Sequence, residues 1–223
     1  MITTPAQRHF IQAMAAKASA VTEPGQAPAG SSQYELMLAK LDTDRRRLKE
    51  IQSIERKIDV KREVLPEYQD WIAGVLSAGK GGQDDVLVTV MVWCIDVGAF
   101  AAAMPLVDYV LTHTLVMPDQ YDRNIQTVVV DEIADAALKI NKEGKNFDLD
   151  ILNHVRALTD ALDMPDQARS KLYKALGLEL YEQAEYTEAL ERFERALELN
   201  ERSGVKRYIA DCEKALSKAD AED

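Results

Sequence analysis

The stretch "GVLSAGKGGQDD", Gly74 to Asp85, decides between two folds. Its Gly-x-x-x-x-Gly-Lys spelling is that of a phosphate-binding loop, which would imply an α/β nucleotide domain with a strand before the loop and a helix after it. The residues argue against that. A phosphate loop follows its Lys with Ser or Thr to hold magnesium; here Gly81 takes that position, and Ser77 lies on the wrong side of Lys80. The preceding "YQDWIAGVL" is patterned as a helix. We therefore read "SAGKGGQDD" as a turn between two helices. Asp84 and Asp85 fall at a helix start, where free N–H groups and the helix dipole favour carboxylates. No alternating strand pattern of useful length occurs elsewhere, and "TVVVDEI" fits a helix as well as a strand. The expected class is all-α.

The chain has 223 residues, 47% hydrophobic and 29% charged, enough for one large or two small domains with a real core. A net charge of −11 argues against nucleic-acid binding over the whole surface, while leaving room for a local basic face. Cys94 and Cys212 are far apart and lack Cys or His neighbours at ligand spacing. Neither a zinc site nor a disulfide framework is expected, in keeping with a reducing cytoplasm. His9, His113 and His154 have no partners at ligand or triad spacing, so no metal and no cofactor is assigned. "MITTPAQRHF" has no apolar core of signal length. The run "VLVTVMVWCIDVGAFAAAM" is interrupted by Asp96 and preceded by Asp84 and Asp85, which suits a buried helix pair better than a membrane span.

Four regions follow. Residues 1–32 read as a flexible N-terminal arm and linker, because "TEPGQAPAGSS" (22–32) is built of Pro, Gly, Ala and Ser. Residues 33–65 read as one long basic helix, capped by Ser31 or Ser32 and ended or kinked at Pro66. Leu41, Leu48, Ile51, Ile58 and Leu65 form a narrow apolar stripe on it, as in a helix that packs against one partner. Leu41, Leu48, Ile51 and Ile58 are therefore expected to mediate homo-oligomerisation. Residues 66–165 read as central helical hairpins, and 166–223 as a further hairpin plus a closing helix, Val205 to Leu216.

The clearest hairpin is "YKALGLELYEQAEYTEALERFERALELN", Tyr173 to Asn200. Gly177 would let two helices approach, Ala189 would fit the crossing and Phe193 would fill the groove. With Tyr186 and Ala196 in place, the segment resembles a tetratricopeptide repeat. Phe100, Ala103, Val107 and Val110 repeat the offsets of Tyr186, Ala189, Phe193 and Ala196, and Phe147 follows a Gly-Lys-Asn turn. The unequal spacings make this a degenerate array, with Pro105 in a first turn or a kink.

Two patterns bear on chemistry. Pro118-Asp119 followed by Glu143-Gly144-Lys145 spells the signature of metal nucleases, whose chemistry needs the carboxylates converging on magnesium from adjacent strands. The second element falls in "NKEGKNF", read as a loop between helices, so no catalytic residue is assigned. "MPDQ", at Met117 and again at Met164, reads as a helix entry. The basic run is different. Thr43 to Glu63 carries Arg45, Arg46, Arg47, Lys49, Arg56, Lys57, Lys61 and Arg62, whereas the chain after residue 70 has 28 acidic and 16 basic side chains. Such a helix either is solvated and laced with ion pairs such as Asp42 to Arg46, or contacts phosphates. We take these eight cations as the candidate DNA contacts, with the N-terminal Gln7, Arg8 and His9 as the rival site.

The order "TPAQRH", "YELMLAKL", "LPEYQDWIAGVLSAGKGGQDDVLVTVMVWCIDVG", "VMPDQ" and "MPDQARSKLYKALGL" closely resembles the small terminase subunits, gpM type, of temperate tailed phages with cohesive ends. The resemblance runs from Thr4 to about Gly204 and is most specific over Trp71 to Gly98. It implies a protein of the host cytoplasm, with no membrane partner, that binds double-stranded packaging-site DNA, assembles as a ring and recruits the large ATPase–nuclease subunit. The family's traditional label is endonuclease subunit of terminase; an endonuclease in its own right and a tetratricopeptide-type scaffold are the alternatives. The chain ends "SKADAED", where a Lys-rich tail would be needed for C-terminal DNA contact.

Overall fold

A computed structural model describes residues 4–21, 32–118 and 123–222, which hold eleven α-helices and no strand. Two compact units divide the chain, Met1–Ile125 and Gln126–Asp223. The first contains α1 (Pro5–Val21), α2 (Ser32–Glu50), α3 (Ile54–Val64), a 3-10 turn (Leu65–Tyr68), α4 (Gln69–Ala78), α5 (Asp85–Asp96) and α6 (Phe100–Thr112). The second contains α7 (Ile125–Lys142), α8 (Leu149–Thr159), α9 (Asp166–Glu182), α10 (Tyr186–Leu199) and α11 (Lys206–Glu222).

The apolar run lies in α5, buried without interruption from Val86 to Ile95 because other helices surround it. Among the described residues, no helix is long and apolar enough to cross a membrane. Around α5 the first unit departs from expectation in three places. The stretch 33–65 is two helices, broken at Ile51–Ser53. Ser53 is extended and its hydroxyl accepts the Arg56 N–H (3.2 Å), so it caps α3 rather than continuing α2. The chain then folds back, and Arg47 meets Glu63 across the hairpin (2.9 Å).

The second departure is the apolar stripe. Leu41 and Leu48 are buried inside their own chain, whereas Ile51 and Ile58 keep partial exposure. A stripe reports that one face is covered without saying by which molecule, and here α5 and the 3-10 turn cover it. The third is the N-terminal arm. Residues 5–21 form a helix docked along α4, where a Cβ on Gly74 would stand 2.4 Å from the Gln12 carbonyl oxygen and 2.7 Å from the Ala15 Cβ. Gly74, which spells the start of a phosphate loop, is a helix-crossing glycine. The linker 22–31 lies outside the described residues, as do Ser31 and Asp119.

In the second unit, Gly177 and Phe193 pack as the sequence suggests: a Cβ on Gly177 would sit 2.5 Å from the Phe193 ring. Ala189, Phe193 and Ala196 are fully buried. Arg169 of α9 donates to the carbonyls of Thr159, Asp160 and Leu162, tying off the end of α8. Pro165 opens α9, and Pro105 lies inside α6, past its first turn.

One turn recurs in both units. Gly98, Thr114, Gly144 and Ala184 each have positive φ just past a helix. The following N–H of Ala99, Leu115, Lys145 and Glu185 bonds back to the carbonyl of Cys94, Val110, Ile140 and Leu180 respectively. This is the Schellman closure, cheapest with glycine. Ala184 pays for a left-handed backbone (φ 61°), so Ala184→Gly should stabilise the second unit by up to about 1 kcal/mol and raise its melting temperature. An unchanged or lower melting temperature would contradict this.

Candidate nucleic-acid interface

The eight candidate cations divide by what they touch. Arg45 is half-buried and donates to the Thr89 hydroxyl, pinning α2 to α5. Lys61 pairs with Asp96 at the far end of α5, with only 17% and 25% of the two side chains exposed. Arg46 pairs with Asp42 on the solvent face of α2, as the i,i+4 spacing suggests. Arg47 pairs with Glu63, while Arg62 reaches both Asp59 (3.5 Å) and the Val97 carbonyl (3.3 Å). Lys49, Arg56 and Lys57 form no ion pair among the described residues. These three flank the break at Ile51–Ser53, so the hairpin tip carries cations whose charge is not already engaged. Ile54, 76% exposed, stands between them in sequence.

The rival site also has a defined shape. Thr4 and Gln7 cap α1 reciprocally, the Thr4 N–H donating to Gln7 Oε1 (2.8 Å) and the Gln7 N–H to Thr4 Oγ1 (3.3 Å). Pro5 to Val21 has Arg8, His9 and Lys17 and no acidic residue, and all three are exposed. This is a rigid basic helix fixed by its inner face, not a tethered arm.

The Gly-Lys-Gly turn offers no phosphate cradle. Gly79 ends α4 in a left-handed conformation, and Gly81 (φ 72°) donates its N–H to the Tyr109 hydroxyl (2.8 Å). A Cβ on Gly81 would meet His113 Nδ1 at 2.5 Å, so the turn is packed shut against α6. Of the nuclease pattern, Glu143 and Lys145 pair with each other (3.1 Å) in the turn after α7. Among the described residues, no group of His, Cys, Asp and Glu is placed to hold a metal ion.

Sequence reasoning missed the polar network beneath the tip. Asp84 is buried and caps α5 through the Leu87 N–H (2.9 Å) while accepting the Trp71 indole N–H (2.9 Å). Tyr34 stacks on Trp71 with ring centroids 5.8 Å apart, and its hydroxyl accepts the Asp85 N–H (3.2 Å). Tyr68 donates to Asp44 (2.6 Å) under the Lys40 ammonium, which lies 4.4 Å from the ring centroid. Burial pushes the Tyr34 and Tyr68 hydroxyls above the ordinary phenolic range. Only the i,i+3 spacing of Asp84 and Leu87, a capping distance, hinted at any of this.

Residues 38–167 match the sequence profile of the phage small terminase subunit family. The chain belongs to that family. It is also 39% identical over 216 residues to the terminase endonuclease subunit of Escherichia phage P2, covering 96% of this chain and 86% of the relative. No solved structure matches it. In this small terminase subunit, the hairpin tip and the Asp84 network both lie within the family-matched stretch, whereas α1, α10 and α11 lie outside it.

Burial raises the Asp84 carboxyl to about 6, against the hydrogen bonds from Leu87 and Trp71 that favour the anion. The native state thus holds this proton more tightly than the unfolded chain does. The group's contribution to stability falls as pH rises from the ordinary carboxylate value to about 6, and the full cost, on the order of 3 kcal/mol, persists above that. Asp84→Asn should therefore flatten the pH dependence of unfolding between about pH 4 and about pH 7 relative to wild type. Equal slopes in denaturant titrations of the two proteins would contradict this.

Proposed function

We propose that this chain binds phage packaging-site DNA through the α2–α3 hairpin tip, assembles as a homo-oligomeric ring and presents the DNA to a large ATPase–nuclease subunit. The observation that carries the DNA reading is the free charge of Lys49, Arg56 and Lys57 on an otherwise acidic chain. Phosphates release counterions when neutralised by such groups, and a ring would repeat the tip, converting weak single contacts into avidity. Membership of the family supports the packaging role, and the partner is the double-stranded DNA of the phage.

The test compares salt dependence. Lys49→Gln, Arg56→Gln and Lys57→Gln together should lower the slope of log affinity against log salt by up to about 3, at about 0.9 per lost phosphate contact. Binding should weaken about equally on all sequences, because phosphate contacts position rather than specify. A charge-matched control, Lys206→Gln, Arg207→Gln and Lys214→Gln on α11, should leave the slope unchanged. If the tip variant keeps its slope, the tip is a solvated face. If removal of the α1 cations (Arg8→Gln with Lys17→Gln) abolishes binding instead, the rival helix is the contact.

A second reading rests on the name of the P2 relative, an endonuclease subunit. We assign the cutting to the assembled terminase rather than to this chain. Purified protein with magnesium or manganese should leave packaging-site DNA intact. Cleavage lost in Asp119→Ala or Lys145→Ala would establish a nuclease site of this chain's own.

A further inference from the structure

Two apolar surfaces of the first unit have no match within it. One is an open groove of about 440 Å³ between α3, α4, α5 and α6, lined among others by Ile72, Leu76, Val90, Cys94, Ala102 and Leu106. The other is the outer face of α1, where Phe10 is 54% exposed and shares a shallow apolar patch with Ala6, Gln7 and Ile11. Gln7, Phe10, Ile11 and half-buried Met14 follow the i, i+3, i+4, i+7 spacing of a helix that lies in a groove.

Phe10 cannot reach the groove of its own chain while α1 stays docked. The inner face of α1 is fixed on α4 by the Gly74 crossing, and Gln12 donates to Asp70 (3.1 Å). The groove uses a different face of α4, that of Gln69, Ile72, Ala73 and Leu76. A single helix therefore has a ready-made knob on its docked neighbour and an empty cleft beside it, both held rigid before any encounter. The knob costs little ordering to bind, since Phe has few rotatable bonds and its helix is already fixed.

We infer that α1 of one copy seats Phe10 in the α3–α6 groove of the next copy. Because knob and groove are different surfaces, the contact is head-to-tail and propagates from copy to copy, closing into a ring if the rotation allows. The inference rests on the homo-oligomer reading above and gives it an interface other than the α2 stripe, whose Leu41 and Leu48 are occupied within the chain.

Light scattering on the full chain tests it, with Phe10→Lys, Ala102→Glu and the double variant. Both positions are exposed, so the fold should survive, as circular dichroism would verify. Each single variant should fall toward the mass of one chain. The double variant should recover the wild-type mass, because every contact then pairs Lys of one copy with Glu of the next. If wild type is itself a single chain, the oligomer reading fails together with this interface. If wild type is larger and the single variants match it, or if both fall and the double does not recover, the interface alone is wrong. Loss of large-subunit binding by Ala102→Glu with the assembly intact would also overturn the inference, giving the groove to that partner.

Discussion

The buried carboxylate of Asp84 is the constraint on which the first unit depends. One oxygen caps α5 and the other holds the Trp71 indole of α4, while Tyr34 of α2 stacks on that indole. Three helices thus converge on a group that burial makes costly to ionise. The turn before it must be tight enough to bring α4 and α5 to the same carboxylate. That need accounts for the left-handed glycines Gly79 and Gly81, which in sequence imitate a phosphate loop. The resemblance of spelling has a cause, since phosphate loops and tight helix junctions both demand residues without a Cβ.

With α2 anchored by Tyr34, Asp44 and Arg45, the basic stretch acquires two kinds of charge. Arg45 and Lys61 are spent on α5, near its first turn and at its last residue, where removing them would loosen the fold. Such partly buried pairs are held in place by packing and are poor candidates for release to a ligand. The cations around Ile51–Ser53 have no such duty. The break that Ser53 creates is what sets them apart, by carrying Lys49 and Arg56 to a tip instead of along a continuous helical face. A continuous helix would have spread the same charge thinly and mixed it with Glu50, Glu55 and Asp59.

The helical class and the turn at 74–85 were legible because periodicity and glycine chemistry are local. The close packing of Gly177 on Phe193 was legible for the same reason, being written in one hairpin. What the sequence hid was long-range. Leu41 and Leu48 have the spacing of a buried face, but nothing local distinguishes burial against α5 from burial against another copy. Ala15 and Gly74 are small residues 59 positions apart, so the docking of α1 left no periodic trace. The cation set was legible as composition, and its sorting into pinned and free members was not, because Thr89 and Asp96 lie far downstream of Arg45 and Lys61.

The central claim is that DNA meets this chain at the α2–α3 tip. Hydrogen–deuterium exchange of the full chain, with and without packaging-site DNA at low salt, tests it most directly. The account predicts slowed exchange centred on residues 49–57, with the buried α5 unchanged because it is already protected. Protection confined to α1, or to the second unit, with none at the tip would contradict it.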